Sequence, residues 1–150
     1  MVETLLVAAL DPDWIRVGWR LLEACDKIAF PISDAFWRYV DENYEWSLYI
    51  ASPVVEEQGI LKAAPKLRQA LGAIDESERA GIALREITPV EPTFFLVTEM
   101  RRRYGTVTEE RGRVMRRTHV LPGEPFIYRL NQPVSTESAP STKETVSTYA

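Results

Sequence analysis

The chain is poor in the residues from which most metal sites and covalent catalytic sites are built. Its 150 residues include one cysteine, Cys25, and one histidine, His119. A single cysteine cannot form an intrachain disulfide or a cysteine-based zinc site, and a single histidine excludes a multi-histidine metal site. A serine triad could use only His119, and no Gly-x-Ser-x-Gly nucleophile motif accompanies it. We therefore expect no metal and no cofactor.

Phosphate-binding loops and long apolar runs are also missing. The seven glycines are scattered, and neither the P-loop pattern nor the dinucleotide-binding fingerprint occurs. The apolar segment from Leu5 to Leu10 is too short to span a bilayer and lacks the pattern of a signal peptide. The single cysteine fits a reducing compartment. We expect a cytoplasmic protein that makes no membrane contact.

Charge is distributed unevenly along the chain. The net charge is −4, yet residues 1–60 carry 4 basic and 11 acidic side chains, a balance of −7. Residues 99–131 carry 8 arginines and 4 glutamates, a balance of +4. Such a dipole favours self-association of opposite ends, or local contact with an anionic partner, over general nucleic-acid binding.

The stretch from Ser33 to Ser52 predicts a β-hairpin around which the rest of the chain is organised. Its aromatic side chains are those of Phe36, Trp37, Tyr39, Tyr44, Trp46 and Tyr49. Strand alternation places Trp37 and Tyr39 on one face of the first strand, and it places Tyr49 opposite the apolar face of the second strand. Only one face of a lone hairpin reaches a core, so the other face is covered by helices or a second copy, or it binds a partner.

The candidate interface is this second face of the hairpin. It includes Tyr49 together with the side chains on one of the two faces of the first strand, which form two sets. The two sets are Trp37 with Tyr39, and Phe36 with Arg38. We take Trp37, Tyr39 and Tyr49 as the candidate interface residues.

Helical signals precede the hairpin. Asp11 is a good N-cap and Pro12 suits the first helical position, so a helix is predicted from there to the Phe30-Pro31 step. Its apolar stripe contains Cys25, which is expected to be inert packing, and it must pack on the hairpin. Gly18 in the same stripe suggests a close approach of another group, such as a tryptophan.

The remaining elements complete one α+β domain over residues 1–131. They are a loop over residues 53–59, a helix over 60–72 that Pro65 kinks or shortens, a strand over 81–88, a helix opened by Pro92 and closed by Gly105, and a hairpin with strands over 114–120 and 126–130. The order α-β-β-α-β-α-β-β predicts a largely antiparallel sheet of about five strands, packed with three helices on one face.

The composition changes at residue 132. Eight of the nineteen residues from 132 to 150 are Ser or Thr, with two prolines among them. A segment of this kind cannot form its own core, so we predict a Ser/Thr/Pro-rich C-terminal tail. Residues 145–149 have strand-like side chains and could add to an exposed sheet edge.

The arginines form the strongest polar signal. Arg101, Arg102 and Arg103 lie in the last turn of the third predicted helix, and Arg113 and Arg117 lie in the second predicted hairpin. They could contact a phosphate backbone if they share one surface. A solvated face, or pairing with the acidic half of a second copy, is the alternative.

Three functions remain open from the sequence. The favoured one is a non-catalytic protein-interaction module that acts as a homo-oligomer or an adaptor subunit. The alternative is a nucleic-acid-binding accessory protein that uses the arginines. The third is an enzyme with a dispersed carboxylate site, for which the candidate acids are Asp34, Asp41, Glu42, Glu45, Glu56 and Glu57. No EF-hand spacing or other ligand spacing favours that site.

Overall fold

The computed structural model describes residues 9–40, 42, 44–108 and 124–134. This part of the chain forms four α-helices, four strands and two short 3-10 helices. The α-helices are α1 (Pro12–Lys27), α2 (Pro53–Gln58), α3 (Ile60–Gly72) and α4 (Phe95–Tyr104). The strands are β1 (Asp34–Val40), β2 (Glu45–Ala51), β3 (Ile87–Val90) and β4 (Phe126–Arg129). The 3-10 helices cover Glu76–Glu78 and Leu84–Glu86.

Helix α1 begins where the sequence predicts. Asp11 caps it, since its side-chain oxygen accepts a hydrogen bond from the backbone N–H of Asp13 at 2.9 Å. Pro12 occupies the first helical position, where a missing N–H is no loss. The helix also packs on the hairpin as predicted, because the ring of Trp14 lies 5.4 Å from the ring of Trp37.

Strands β1 and β2 form the predicted antiparallel hairpin. Phe36 lies opposite Tyr49, and Trp37 lies opposite Leu48. Facing residues of an antiparallel pair share one side of the sheet, so Phe36 and Tyr49 lie on one face and Trp37 lies on the other.

The sheet is mixed, which corrects the predicted, largely antiparallel sheet of about five strands. The four strands of the described region follow the order β3-β2-β1-β4. β1 is antiparallel to both β2 and β4, whereas β2 and β3 are parallel. A parallel pair requires a long crossover connection, which α2 and α3 provide between β2 and β3. The predicted strand over residues 114–120 lies outside the described residues.

Helices lie on both faces of the sheet, whereas the sequence predicted helices on one face. On the first face, α1 and α3 pack against the sheet, and Leu67 of α3 joins Trp37 in the main core cluster. On the second face, Val97 and Met100 of α4 form a smaller cluster with Phe36. The prediction of a single α+β domain is confirmed, although the described region holds four α-helices instead of three.

Helix α2 replaces the loop predicted for residues 53–59. The oxygen of the Ser52 side chain accepts a hydrogen bond from the backbone N–H of Val54 at 3.1 Å, and Pro53 follows as the first helical residue. This is the same capping chemistry that starts α1. Helix α3 then runs from Ile60 to Gly72 with Pro65 inside it.

Two further boundaries differ from the prediction. Strand β3 covers Ile87–Val90 and not residues 81–88, and it contains Pro89, which an outer strand tolerates. Helix α4 begins at Phe95 and not at Pro92. Pro92 instead sits at the second position of a turn in which the backbone N–H of Phe94 donates to the Glu91 carbonyl at 3.0 Å.

Several predicted features cannot be placed in this fold. Arg113, Arg117, His119 and the tail from residue 135 onward lie outside the described residues. Among the described helices, none has the length and apolar character needed to cross a membrane.

Candidate binding site

The predicted interface residues are buried within the chain itself. Trp37 has no exposed surface, and Tyr39 is 7% exposed on the same side of the sheet. Tyr49 lies on the opposite side, where its ring stacks on that of Phe36 at 5.4 Å next to α4. The structure therefore brings Tyr49 together with Phe36 and separates it from Trp37 and Tyr39.

The first of the candidate nucleic-acid-binding arginines is bonded to a buried carboxylate. Arg101 donates two hydrogen bonds to the carboxylate of Asp34, from Nε at 2.9 Å and from Nη2 at 2.6 Å. Asp34 is completely buried. Its carboxylate also accepts a bond from the backbone N–H of Asn131 at 2.7 Å. The hydrogen bonds that Arg101 donates to Asp34 raise the pKa of the Arg101 guanidinium, so the contact stabilises the cation and has a structural role.

The two neighbouring arginines point to solvent and differ in their contacts. Arg102 forms an ion pair with Glu99 one turn earlier in α4, and its hydrogen bond lowers the pKa of Glu99. The guanidinium of Arg103 lies 5.9 Å from the centre of the Tyr104 ring. Arg103 and Tyr104 are thus the exposed cation and aromatic ring at this end of α4.

The candidate carboxylates do not gather into one site. Asp34 is buried and bonded to Arg101, whereas Glu45, Glu56 and Glu57 are exposed. Asp41 lies outside the described residues. Within those residues, no group of three or more His, Cys, Asp or Glu side chains is placed to hold a metal ion.

A cavity of about 340 Å³ lies at the turn end of the first hairpin. Three aromatic side chains line it, those of Trp14, Tyr44 and Trp46. Its charged lining residues are Asp11, Glu45, Arg85 and Glu86. We call this cavity the aromatic pocket. Its size falls at the lower end of the range for small-molecule and side-chain sites.

Three separate parts of the fold position the aromatic pocket. The first turn of α1 contributes Trp14, whose indole N–H donates to the backbone carbonyl of Ala80 at 2.9 Å. The start of β2 contributes Trp46, and the 3-10 helix before β3 contributes Arg85 and Glu86. A side chain that is held by a contact so distant in sequence keeps its orientation without a ligand.

The predicted interface residues Trp37 and Tyr39 support the walls of the aromatic pocket from behind. The Trp37 ring lies 5.4 Å from that of Trp14. The Tyr39 ring meets that of Trp46 edge to face at 5.5 Å. Aromatic pairs at such distances contribute beyond the burial of their area, so the pocket walls are anchored in the core.

Tyr44 is the exposed wall of the aromatic pocket. It is 67% exposed, and its backbone φ is +57°, in the left-handed region. A non-glycine residue there costs roughly 1–2 kcal/mol relative to right-handed backbone. The conformation orients a large aromatic side chain toward solvent at the pocket mouth, and such strained positions are enriched at binding sites.

The three acidic side chains of the aromatic pocket differ in their hydrogen bonds and ion pairs. Asp11 caps α1, as described above. Glu86 accepts a hydrogen bond from the backbone N–H of Ala83 at 2.7 Å and one from Nε of Arg85 at 2.9 Å. Glu45 is exposed at the mouth and forms no ion pair with any described residue. Three carboxylates and one guanidinium give the lining a formal charge of −2.

Sequence reasoning missed the aromatic pocket because its parts are distant along the chain. The position of Tyr44 at the hairpin tip could have been predicted, since Tyr44 follows the polar turn residues of the hairpin. The position of Trp14 in the first turn of α1 could also have been predicted, because it comes directly after the N-terminal signals of that helix. Nothing in the sequence places Arg85 and Glu86 beside them.

Comparison with known proteins provides no relative. The chain matches no protein-family model, no curated protein and no solved structure. The function must therefore be inferred from the site.

Proposed function

We propose that the protein is a non-catalytic interaction module, a homo-oligomer or an adaptor subunit, that binds its partner at the aromatic pocket. One observation carries the proposal, namely that two distant segments bring Trp14, Tyr44 and Trp46 around one open cavity, which a third segment lines with Arg85 and Glu86. Tryptophan and tyrosine are the residues that contribute most to protein interfaces. Tyr44 is 67% exposed, so its ring is free to contact a partner at the mouth of the cavity.

The polar groups of the aromatic pocket support binding over catalysis. The carboxylates of Asp11 and Glu86 accept hydrogen bonds from the backbone, so they hold local structure. The buried Asp34 is likewise held by Arg101 at a distance from the pocket lining. General acid–base catalysis usually pairs two positioned groups, and the hydrogen bonds of Asp11 and Glu86 to local backbone leave Glu45 alone among the pocket carboxylates.

Photocrosslinking from the pocket mouth tests this proposal. A photoreactive benzoylphenylalanine replaces Tyr44, which is exposed and already aromatic, in protein expressed at its native level in source cells. Illumination is expected to give a discrete protein adduct on this variant, identified by mass spectrometry. The matched control carries the same residue in place of Glu57, which is exposed on α2, and is expected to give none.

The control position and the oligomeric state decide the outcome. Equal adducts from positions 44 and 57, or none from position 44, would count against the aromatic pocket as the contact surface. An adduct with a second copy of the chain, with a matching mass in light scattering coupled to size exclusion, would identify the homo-oligomer. An adduct with another protein would identify the adaptor.

A second candidate function is nucleic-acid binding by an accessory protein. The exposed guanidinium of Arg103 near the Tyr104 ring supports it, because cations and stacking aromatics are combined in single-strand binding sites. Arg102→Glu together with Arg103→Glu should then weaken oligonucleotide binding, measured by fluorescence anisotropy at low salt. Arg68→Glu on exposed α3 surface is the control, and binding that is insensitive to salt would exclude this function.

A cytoplasmic location belongs to the same proposal. The composition supports it, because a chain with one cysteine has no need of an oxidising compartment. Cell fractionation with an antibody against the chain tests the location, and recovery in the membrane or secreted fraction would contradict it.

A further inference from the structure

We propose that the aromatic pocket binds the guanidinium group of an arginine side chain on a basic segment of a partner protein. The inference rests on the proposed function, because it names the chemistry of the partner at that site. It adds a specificity that an apolar interface would lack.

The charge of the lining selects a cation. Asp11, Glu45 and Glu86 contribute three negative charges, and Arg85 contributes one positive charge that is already paired with Glu86. An anionic ligand would be repelled by this balance. A purely apolar ligand would remove the Glu45 carboxylate from water without giving it a partner, which costs free energy. A ligand cation avoids both penalties.

The aromatic walls favour a cation that also has a flat face. The faces of tryptophan and tyrosine attract a cation electrostatically, and the attraction strengthens where water is excluded. Of the rings that line the cavity, Trp46 is only 6% exposed, and Tyr44 lies at the mouth with 67% exposed. A planar guanidinium can lie on such a ring and still donate two parallel hydrogen bonds to a carboxylate, which an ammonium group cannot do.

The occupant that we infer is a different protein and not a second copy. A second copy has a net charge of −4, which opposes its approach to an acidic pocket. Its Arg101 and Arg102 would also have to leave their ion pairs with Asp34 and Glu99. Breaking the first pair would leave a buried carboxylate without its cation, which is strongly unfavourable. A partner with an unpaired arginine in an extended basic segment carries no such cost.

The test uses the full chain labelled with ¹⁵N on tryptophan, followed by NMR. The four indole N–H signals belong to Trp14, Trp19, Trp37 and Trp46, and single Trp→Phe variants assign them. The probe is a blocked Gly-Arg-Gly peptide, with Gly-citrulline-Gly as a neutral control of equal shape and Gly-Lys-Gly as a second cation. We expect the arginine peptide to shift the Trp14 and Trp46 signals and leave Trp19 unchanged.

The expected affinities order the three peptides. The arginine peptide should bind with a dissociation constant in the millimolar range. The citrulline peptide should bind roughly tenfold more weakly, because the cation–aromatic attraction is lost. Lysine should fall between them because it cannot bind in the bidentate, stacked manner. Equal shifts with arginine and citrulline would overturn the inference.

Paired variants assign the binding to the pocket groups. Glu45→Gln removes the negative charge at the pocket mouth and should weaken binding of the arginine peptide several-fold. Glu57→Gln on α2 should leave that binding unchanged. Tyr44→Ala should weaken it similarly, whereas Phe95→Ala, which removes another aromatic ring that is 69% exposed, should not. Binding that survives both Glu45→Gln and Tyr44→Ala would place the arginine elsewhere and overturn the inference.

The two proposals can fail separately. Loss of arginine binding with a retained partner adduct at position 44 would reject the arginine specificity and keep the interaction module. An adduct at position 44 formed solely with a second copy would reject the separate partner. Loss of both the adduct and the arginine binding would reject both proposals.

Discussion

Gly18 of α1 and Tyr128 of β4 touch so closely that no side chain fits between them. A Cβ atom on Gly18 would lie 2.0 Å from the Tyr128 hydroxyl oxygen and 2.5 Å from its ring carbon Cζ. That hydroxyl accepts a hydrogen bond from the Trp37 indole at 2.8 Å and donates one to the Ile15 carbonyl at 2.7 Å. The glycine thus lets a helix, a central strand and an outer strand share one buried polar contact.

Gly18→Ala should destabilise the fold by about 1–3 kcal/mol, because the added methyl group overpacks a filled site. The measurement is the free energy of unfolding in urea. Gly72→Ala is the matched control, since a Cβ there meets nothing within 4 Å. That change should leave stability unchanged or raise it by up to about 1 kcal/mol. A tolerated Gly18→Ala would mean that Tyr128 can move aside.

The ion pair between Arg101 and Asp34 gives a second prediction. Arg101→Met keeps the apolar stem but leaves the fully buried carboxylate without its cation. We expect a loss of several kcal/mol, toward the lower end of about 3–5 kcal/mol because the Arg101 side chain is 30% exposed. Thermal and urea unfolding both measure it.

The adjacent arginine is the control for that prediction. Arg102→Met removes an ion pair in which the side chains of both partners are well exposed to solvent, and stability should not change measurably. If the two variants behaved alike, the Asp34 site would be solvated in solution. Any loss of nucleic-acid binding in Arg101→Met should therefore be read as loss of folded protein.

Local features of the fold could be predicted from the sequence because their causes are local. Asp11 and Pro12 start α1 by capping chemistry that involves neighbours in the chain. Strand alternation also predicted the hairpin of β1 and β2, but it left open which residues of β1 share a face with Tyr49. The structure places Phe36 there, and not Trp37 or Tyr39. The close approach at Gly18 was also predicted, although Tyr128 makes it in place of a tryptophan.

Non-local features could not be predicted in the same way. The parallel pairing of β2 and β3 joins strands that are separated by two helices, and no residue pattern in either strand specifies its partner. Burial on α3 illustrates the same limit. Helical periodicity groups Ile60 with Leu67 and Leu71 on one apolar stripe, yet Ile60 is 53% exposed, whereas Ala63 is fully buried. The aromatic pocket depends on three such long-range placements at once, so it emerged from the structure alone.

The buried thiol of Cys25 makes stability depend on alkaline pH. Burial among apolar side chains, followed by the negative charge of Asp26, raises the pKa of Cys25 from 9.0 to about 12. In the unfolded chain the thiol ionises near its ordinary value, so unfolding is favoured as pH rises from about 9 toward 12. The loss of stability per pH unit is largest where only the unfolded state is ionised.

Cys25→Ala should therefore flatten the decline of unfolding free energy over that pH range, by up to about 1.4 kcal/mol per pH unit. The variant also leaves a cavity, whose cost does not depend on pH, so the slopes are compared and not the absolute values. Equal slopes would mean that another group titrates. A second measurement is the rate of thiol labelling at pH 8, which should be slow in the native chain and fast in denaturant.

Tyr44 should favour binding at the pocket and lower the free energy of unfolding. Its left-handed backbone suits asparagine better than tyrosine, and Asn131 adopts the same region with φ +54°. Tyr44→Asn should therefore raise the free energy of unfolding by up to about 1 kcal/mol. The same change removes the outer wall of the aromatic pocket and should weaken binding of the arginine peptide. Tyr104→Asn, at an exposed ring in the last turn of α4, should give neither effect. A Tyr44→Asn variant that lost stability would show that the ring is held by packing against its own chain, and the strain would then need no explanation from binding.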